Sequence, residues 1–248
     1  MMDTDAIAGR FHEDGFVVAR NVFSRDEVDA LKRALDAYVD DVAPTLERGD
    51  IYYEDTPEQP IKSIFRMEQH AEPFAALLTD DRLVNLARTV YDDPDAALWS
   101  TMFFAKPALS GSVTPAHQDN AFQCWVPPEA MVITIAVDAS TCDNGVLVCQ
   151  KGSHRLGILP HKPSGVLGFS QMLIDPLDTA RHEEVEIRME PGDICLHAMN
   201  TVHRSGPNRT DRSRRQLGIN VRSSRAQVDE QMLAHRKAIL AKLHADNA

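Results

Sequence analysis

The period of the hydrophobic positions changes partway along the chain. In the first third they recur at helical spacing. Val28, Leu31, Leu35, Tyr38 and Val39 fall on one face, as residues three and four apart do on an α-helix. Ser24-Arg25-Asp26-Glu27 stands directly before that run and has the form of a capping box, in which Ser24 and Glu27 each satisfy the other's backbone N–H. A second face, built from Phe74, Leu77, Leu78, Leu83, Leu86 and Val90, predicts a helix through residues 72–91. The segment GFVVARNVF predicts a short strand within residues 11–23. Residues 50–69, polar and aromatic with Tyr52, Tyr53, Pro57 and Pro60, read as irregular.

From Ala97 onward the runs become short and β-branched: LWSTMFFAK, AMVITIAVDA, GVLVCQ, VEIRM, DICLHAM and RQLGINVR. Turn formers separate them, among them Asp143-Asn144-Gly145, Pro191-Gly192-Asp193 and Ser205-Gly206-Pro207-Asn208. Helical spacing returns over about residues 224–247 through Val228, Met232, Leu240 and Leu243. The pattern predicts a mainly β fold with flanking α-helices, a sandwich or a double-sheet barrel of jelly-roll type. No linker divides it, so residues 1–248 read as one domain: a helical N-terminal third, a core over about 97–222 and a C-terminal helix.

Composition narrows the partners. A chain of 248 residues that is 43% hydrophobic supports one sizeable core, and with aromatics at 6% that core is mostly aliphatic. A formal net charge of -11 gives no general attraction to nucleic acid or to anionic membranes. Six arginines between Arg204 and Arg222 are the local exception and form either a solvated loop or an anion site. Cys124, Cys142, Cys149 and Cys195 include no C-x-x-C pair, which argues against a cysteine-ligated zinc. The N-terminus runs straight into charged residues, and no apolar stretch is long enough to span a bilayer. These features predict a reduced, cytoplasmic, soluble protein. They leave its oligomeric state open.

The chemistry concentrates in His117-Gln118-Asp119 and a histidine far downstream. Two imidazoles and a carboxylate form the facial triad of non-haem iron(II) sites, which holds one face of the ion and leaves the other open. On an extended strand residues i and i+2 point to the same side, so His117 and Asp119 can reach one ion. His197 and His203 are both candidates for the third ligand. An iron-bound 2-oxo dicarboxylic acid needs a planar cation for its distal carboxylate. A chain leaving His203, turning through GPNRTD and returning would place Arg214 there, with Ser205 adding a hydroxyl; this favours His203. Arg214, Gln216, Gly218, Asn220 and Arg222 share one strand face, and Arg215, Leu217, Ile219 and Val221 the other. If helices cover the apolar face, the polar face lines the cavity and Arg214 is the clamp. Asn120, Gln123, Trp125, Arg66 and Lys106 are candidate wall or lid residues for a substrate, with Lys106 alternatively on the 2-oxo acid. Gly152-Ser153-His154 has no base placed by spacing, so a serine-hydrolase reading is weak and His154 reads as structural.

With these residues in view, the chain resembles the phytanoyl-CoA dioxygenase (PhyH) family of Fe(II)/2-oxoglutarate oxygenases, which includes ectoine hydroxylases. The matching text runs in order: DGFVVARNVFSRDEV, IKSIFRMEQH, FFAKPALSGSVTPAHQDNAFQCW, DNGVLVCQKGSHRLG and PGDICLHAMNTVHRSGPNRTDRSRR. It covers most of residues 8–222. The resemblance implies a double-stranded β-helix (jelly-roll, cupin-like) fold, with Fe(II) on His117, Asp119 and His203. It further implies 2-oxoglutarate on Arg214 with Ser205 beside it, and O2 as oxidant. The implied activity is hydroxylation of an unactivated C–H bond in a small metabolite, with release of succinate and CO2. Lys151 and Arg204 stand where the family often has proline and glycine. Asp119 is present, whereas halogenating relatives lack the carboxylate. Two other classes compete: a non-catalytic metal- and 2-oxoglutarate-binding sensor barrel, and a zinc-dependent hydrolase using the same three ligands.

Overall fold

The computed structural model describes residues 2–166, 169–234 and 236–238. Two antiparallel sheets face each other. The larger has seven strands in the order Phe16–Ala19, Ile194–Ala198, Ala130–Ala136, Arg214–Arg222, Ala97–Lys106, Ile61–Phe65 and Ile51–Tyr53. The smaller has four, in the order Glu184–Ile187, Leu147–Gln150, His203–Ser205 and Thr114–His117. Neither closes on itself, and the arrangement is that of a jelly roll. At one end the space between the sheets is filled by Ala136 and Cys195 from the larger and Cys149 and Ile187 from the smaller.

The outer face of the large sheet carries the main core. Leu217, Ile219 and Val221 are fully buried with Ile133 and Ile135, against Leu31 and Leu35 of the helix Arg25–Ala37 and Leu83 and Leu86 of the helix Asp81–Tyr91. Each such side chain taken out of water contributes roughly 1.5–3 kcal/mol. The opposite face of the same strand, with Arg214, Gln216, Gly218 and Asn220, therefore points between the sheets. The alternation in RQLGINVR is satisfied with helices outside and a polar lining inside. Gly218 has a steric reason: a Cβ there would press on the Phe104 ring and the Met102 methyl at 3.0 and 3.1 Å.

The capping box forms as the sequence predicts, with Ser24 accepting from the Glu27 N–H and the Glu27 carboxylate accepting from the Ser24 N–H at 2.7 Å. Three other expectations need correction. The helix through 72–91 is broken: a turn over Glu72–Ala75 and a 3-10 stretch over Ala76–Thr79 end at Asp80, whose extended backbone and side chain cap the helix Asp81–Tyr91. Residues 50–69 are not irregular throughout. Ile61–Phe65 pairs with Ala97–Lys106 and Ile51–Tyr53 pairs with Ile61–Phe65, because a sheet edge supplies the partner that their local sequence does not advertise. The C-terminal helix starts later than Ser224: Gln227–Val228 pairs with Trp125–Val126, and Asp229 then caps the helical residues from Glu230 on. The rest of that helix, including Leu240 and Leu243, lies outside the described residues. No described helix is long and apolar enough to cross a membrane.

Candidate metal centre

His117 is the last residue of Thr114–His117, and His203 is the first of His203–Ser205. The two strands pair so that His203 stands directly opposite His117, with ring centroids 4.1 Å apart. Each ring is turned by its own backbone: Nδ1 of His117 lies 2.8 Å from the Pro115 carbonyl, and Nδ1 of His203 lies 3.0 Å from the Thr201 carbonyl. Held through Nδ1 in this way, each ring turns Nε2 toward Asp119 and presents it as the nitrogen that a metal takes.

Asp119 arrives differently from the expectation. It is not on the extended strand. Its backbone is helical (φ -59°, ψ -32°), and it opens the short turn Asn120–Gln123. That turn still brings Oδ1 to 3.4 Å from Nε2 of His117 and 3.7 Å from Nε2 of His203. One donor atom from each of the three residues lies within 4.8 Å of the others. Gln118, between them, is fully buried and acts as a clamp. Its amide donates to the Gly157 and Asn200 carbonyls at 2.8 and 2.7 Å and accepts from the Leu159 N–H at 2.7 Å.

The charge states suit a cation. Burial, reinforced by His117 alongside, pushes the His203 pKa down to about 3, so the ring is neutral at pH 7. Burial alone would raise the Asp119 pKa. The imidazoles gathered around it, with His197 hydrogen-bonded to Oδ2, outweigh this and hold the carboxyl well below the usual range. The neutral His203 ring, the His117 ring opposite it and an ionised carboxylate on one side of a common point form the donor set that a divalent iron fits. His197, the rival third ligand, sits behind the carboxylate instead, its Nε2 3.0 Å from Oδ2 of Asp119.

A second group of charges lies along the inner face. Arg214 is buried and points inward; Arg215 points outward, onto Asp138 at 2.7 Å and Asp36 at 2.8 Å. Nη2 of Arg214 donates to the Gly145 carbonyl at 2.7 Å, Nη1 donates to Gln216, and Nε has no partner. Lys106 stands opposite Arg214 in the strand register and is also buried. Its ammonium donates to the Ser112 carbonyl and lies 3.4 Å from Oγ1 of Thr114, on the strand that ends in His117. Burial and the charge of Arg214 push the Lys106 pKa down to about 7. Glu54 is the acidic group that acts on Lys106, and it is committed to the Ser112 N–H at 2.9 Å and to Lys62 at 3.8 Å. Two adjacent buried cations, neither ion-paired among the described residues, make a place for an anion. Ser205 is buried two residues beyond His203, opposite Thr114.

The candidate substrate residues divide. The Asn120 amide is occupied in holding the backbone of Trp125, by bonds of 3.0 and 2.7 Å. Trp125 is half-buried in an apolar patch with Met102, Val132, Met199, Phe65 and Phe104, and Arg222 lies over its ring at 5.1 Å. Gln123 is half-buried in the turn after Asp119. Arg66 has a left-handed backbone (φ 58°) and pairs with Asp50. Sequence reasoning missed the Gly145 carbonyl and Thr114, and it placed Gln216 on the cavity face without pairing it to Arg214. The Asn144-Gly145 signal was visible, but only the folded chain shows why glycine is needed: φ is 82°, and a Cβ would meet the Gly206 carbonyl oxygen at 2.8 Å and Cδ of Lys106 at 3.1 Å.

Comparison with known proteins gives the family and the fold. The profile of the phytanoyl-CoA dioxygenase (PhyH) family matches residues 11–216. The ectoine dioxygenase of Sphingopyxis alaskensis is 27% identical over 220 residues, 82% of this chain and 70% of that protein. The phytanoyl-CoA dioxygenase of Arabidopsis thaliana is 23% identical over 244 residues, 85% of this chain and 86% of that protein. Among solved structures, EctD from S. alaskensis with 2-oxoglutarate and 5-hydroxyectoine superposes with a TM-score of 0.73 at 24% identity, covering 90% of this chain and 77% of that one.

Metal binding tests the triad directly. Anaerobic titration with Fe(II) is expected to give one equivalent on the native chain and none on His117→Ala or His203→Ala. Stoichiometric iron on either variant would move the centre elsewhere.

Proposed function

Because the chain belongs to the phytanoyl-CoA dioxygenase (PhyH) family, we propose that it is an iron(II)- and 2-oxoglutarate-dependent oxygenase. Its reaction is hydroxylation of an unactivated C–H bond in a small-molecule metabolite, with release of succinate and CO2. The observation that carries this reading is the presence of two complementary sites on one inner surface. One is a His117–Asp119–His203 face for a cation; the other is the Arg214–Lys106 pair for an anion. A zinc hydrolase would leave that pair of buried cations without a role, at the cost of desolvating both.

Bound iron with 2-oxoglutarate would supply the two-electron activation of O2 that the side chains lack. The chain's own part is placement. His117, Asp119 and His203 hold one face of the ion. Arg214, fixed by Gly145 and Gln216, offers its remaining N–H groups to the distal carboxylate of 2-oxoglutarate, and Ser205 and Lys106 stand beside it. The patch of Met102, Phe104, Val132, Met199 and Trp125 keeps bulk water from the reacting carbon.

The reading is tested by incubating the iron-loaded protein with 2-oxoglutarate, O2 and a metabolite panel, and measuring succinate. Substrate-stimulated succinate with one hydroxylated product is expected. Turnover that needs zinc and ignores 2-oxoglutarate would establish the hydrolase, and tight 2-oxoglutarate binding with no succinate would establish the sensor.

Arg214→Ala is expected to weaken 2-oxoglutarate binding by about 2–4 kcal/mol, the loss of a buried bidentate charge pair, as read by calorimetry on the metal-loaded protein. Arg215→Ala should leave it unchanged, since that guanidinium faces Asp138 and Asp36. The reverse order would shift the clamp by one residue.

Lys106 adds a pH dependence with a definite sign. Its pKa lies near 7 before an anion binds, so the charge is present below that pH and lost above it. Affinity for 2-oxoglutarate should therefore be highest below pH 7 and fall by up to about tenfold per pH unit above it. The slope should flatten in Lys106→Met. A pH-independent affinity in the native chain would remove Lys106 from the site.

A further inference from the structure

The two oxygens of Asp119 are treated differently by their surroundings. Oδ1 faces Nε2 of His117 and Nε2 of His203 at 3.4 and 3.7 Å. Oδ2 points the other way and lies 3.0 Å from Nε2 of His197. We infer that His197 is a positioning residue: it holds Oδ2 so that Asp119 meets the metal through Oδ1 alone. This rests on the reading of His117, Asp119 and His203 as a metal centre.

The argument comes from how rigidly each partner is held. His197 lies in Ile194–Ala198, hydrogen-bonded between two strands, opposite Phe16 on one side and Val132 on the other. It is buried, with its ring centroid 4.7 Å from that of His203. Asp119 opens a helical turn of four residues, and its side chain can rotate about the Cβ–Cγ bond. An ionised carboxylate only accepts, so His197 must carry its proton on Nε2 and donate it to Oδ2. The other ring nitrogen, Nδ1 of His197, has no hydrogen-bond partner among the described residues, so the ring's hydrogen bond is the one to Oδ2. His197 is not itself in the group whose donor atoms converge within 4.8 Å.

The consequence concerns coordination number. A carboxylate free to turn presents both oxygens to a cation and occupies two positions. Restrained by His197 it occupies one, and the open face keeps room for both oxygens of a chelating 2-oxo acid. His197 thus acts on the open coordination positions through Asp119, without itself being a ligand.

The test uses the full-length chain and cobalt(II) as the probe ion, read by its visible absorption, followed by 2-oxoglutarate calorimetry on the metal-loaded protein. His197→Leu keeps the bulk and removes the donor; His197→Gln keeps an N–H donor; His203→Ala is the control for loss of a ligand. His197→Leu should still bind one equivalent of cobalt, roughly 10–100-fold more weakly and with altered bands, while His197→Gln returns to within about threefold of the native affinity. In His197→Leu, 2-oxoglutarate affinity should fall at saturating cobalt. Should His197→Leu fail to fold, His197→Ala makes the same comparison. Native affinity, bands and 2-oxoglutarate binding in His197→Leu would overturn the inference. So would loss of cobalt from both His197→Leu and His197→Gln as complete as in His203→Ala, since that would make His197 a ligand. A native chain that binds no cobalt would instead refute the metal centre on which the inference rests.

Discussion

The antiparallel pairing that sets His203 opposite His117 is the constraint on which the rest of the centre depends. Side-chain direction alternates with each residue of a strand, so a slip of one position would turn one of the two rings out of the interior. The register is held from both sides. His203 also pairs with Cys149 on the neighbouring strand, and the Ser153 hydroxyl takes the Val202 N–H at 2.9 Å. The Gln118 clamp adds a restraint that backbone pairing alone does not give, because it ties the H-x-D tripeptide to the Asn200 turn that precedes His203. With the two imidazoles fixed, the carboxylate needs only a single helical turn to join them.

The same alternation governs the anion end. In Arg214–Arg222 the apolar set lies beneath the helices and the polar set lines the interior, so the sheet carries the main core on one face and the chemistry on the other. Burying Arg214 and Lys106 without a carboxylate is expensive, and burial shows in the lowered pKa of each, to about 10 and about 7. Helices packed outside supply apolar burial that offsets this cost. A protein with a net charge of -11 that keeps two adjacent interior cations has arranged a local reversal of its own field.

Sequence reasoning and structure part company where local patterns depend on distant partners. The helix expected through residues 72–91 breaks because Asp80 competes for the backbone as a cap. The hairpin formed by Ile51–Tyr53 and Ile61–Phe65 was hidden because its strands are short and only the edge of Ala97–Lys106 makes them strands. The H-x-D logic named both residues, although Asp119 reaches the site by a turn and not by strand alternation. The choice of Arg214 over Arg215 followed from the two-residue period once helices were assigned to the outside. The Asn144-Gly145 turn was legible as a turn, but its carbonyl contact with Arg214 spans 69 positions of sequence and has no local signature.

What the sequence determined by itself was composition and period: a helical first third, short strands from Ala97, an interior polar face on RQLGINVR, and a set of residue types whose chemistry fits one ferrous ion and one dicarboxylate. Those properties are local, set by side-chain identity and by the fixed geometry of helix and strand. The sequence favoured His203 over His197, and the tertiary structure adds how the two differ, for both lie on strands and both stand beside Asp119. They differ in which carboxylate oxygen each one faces, and that depends on the pairing of strands far apart in sequence.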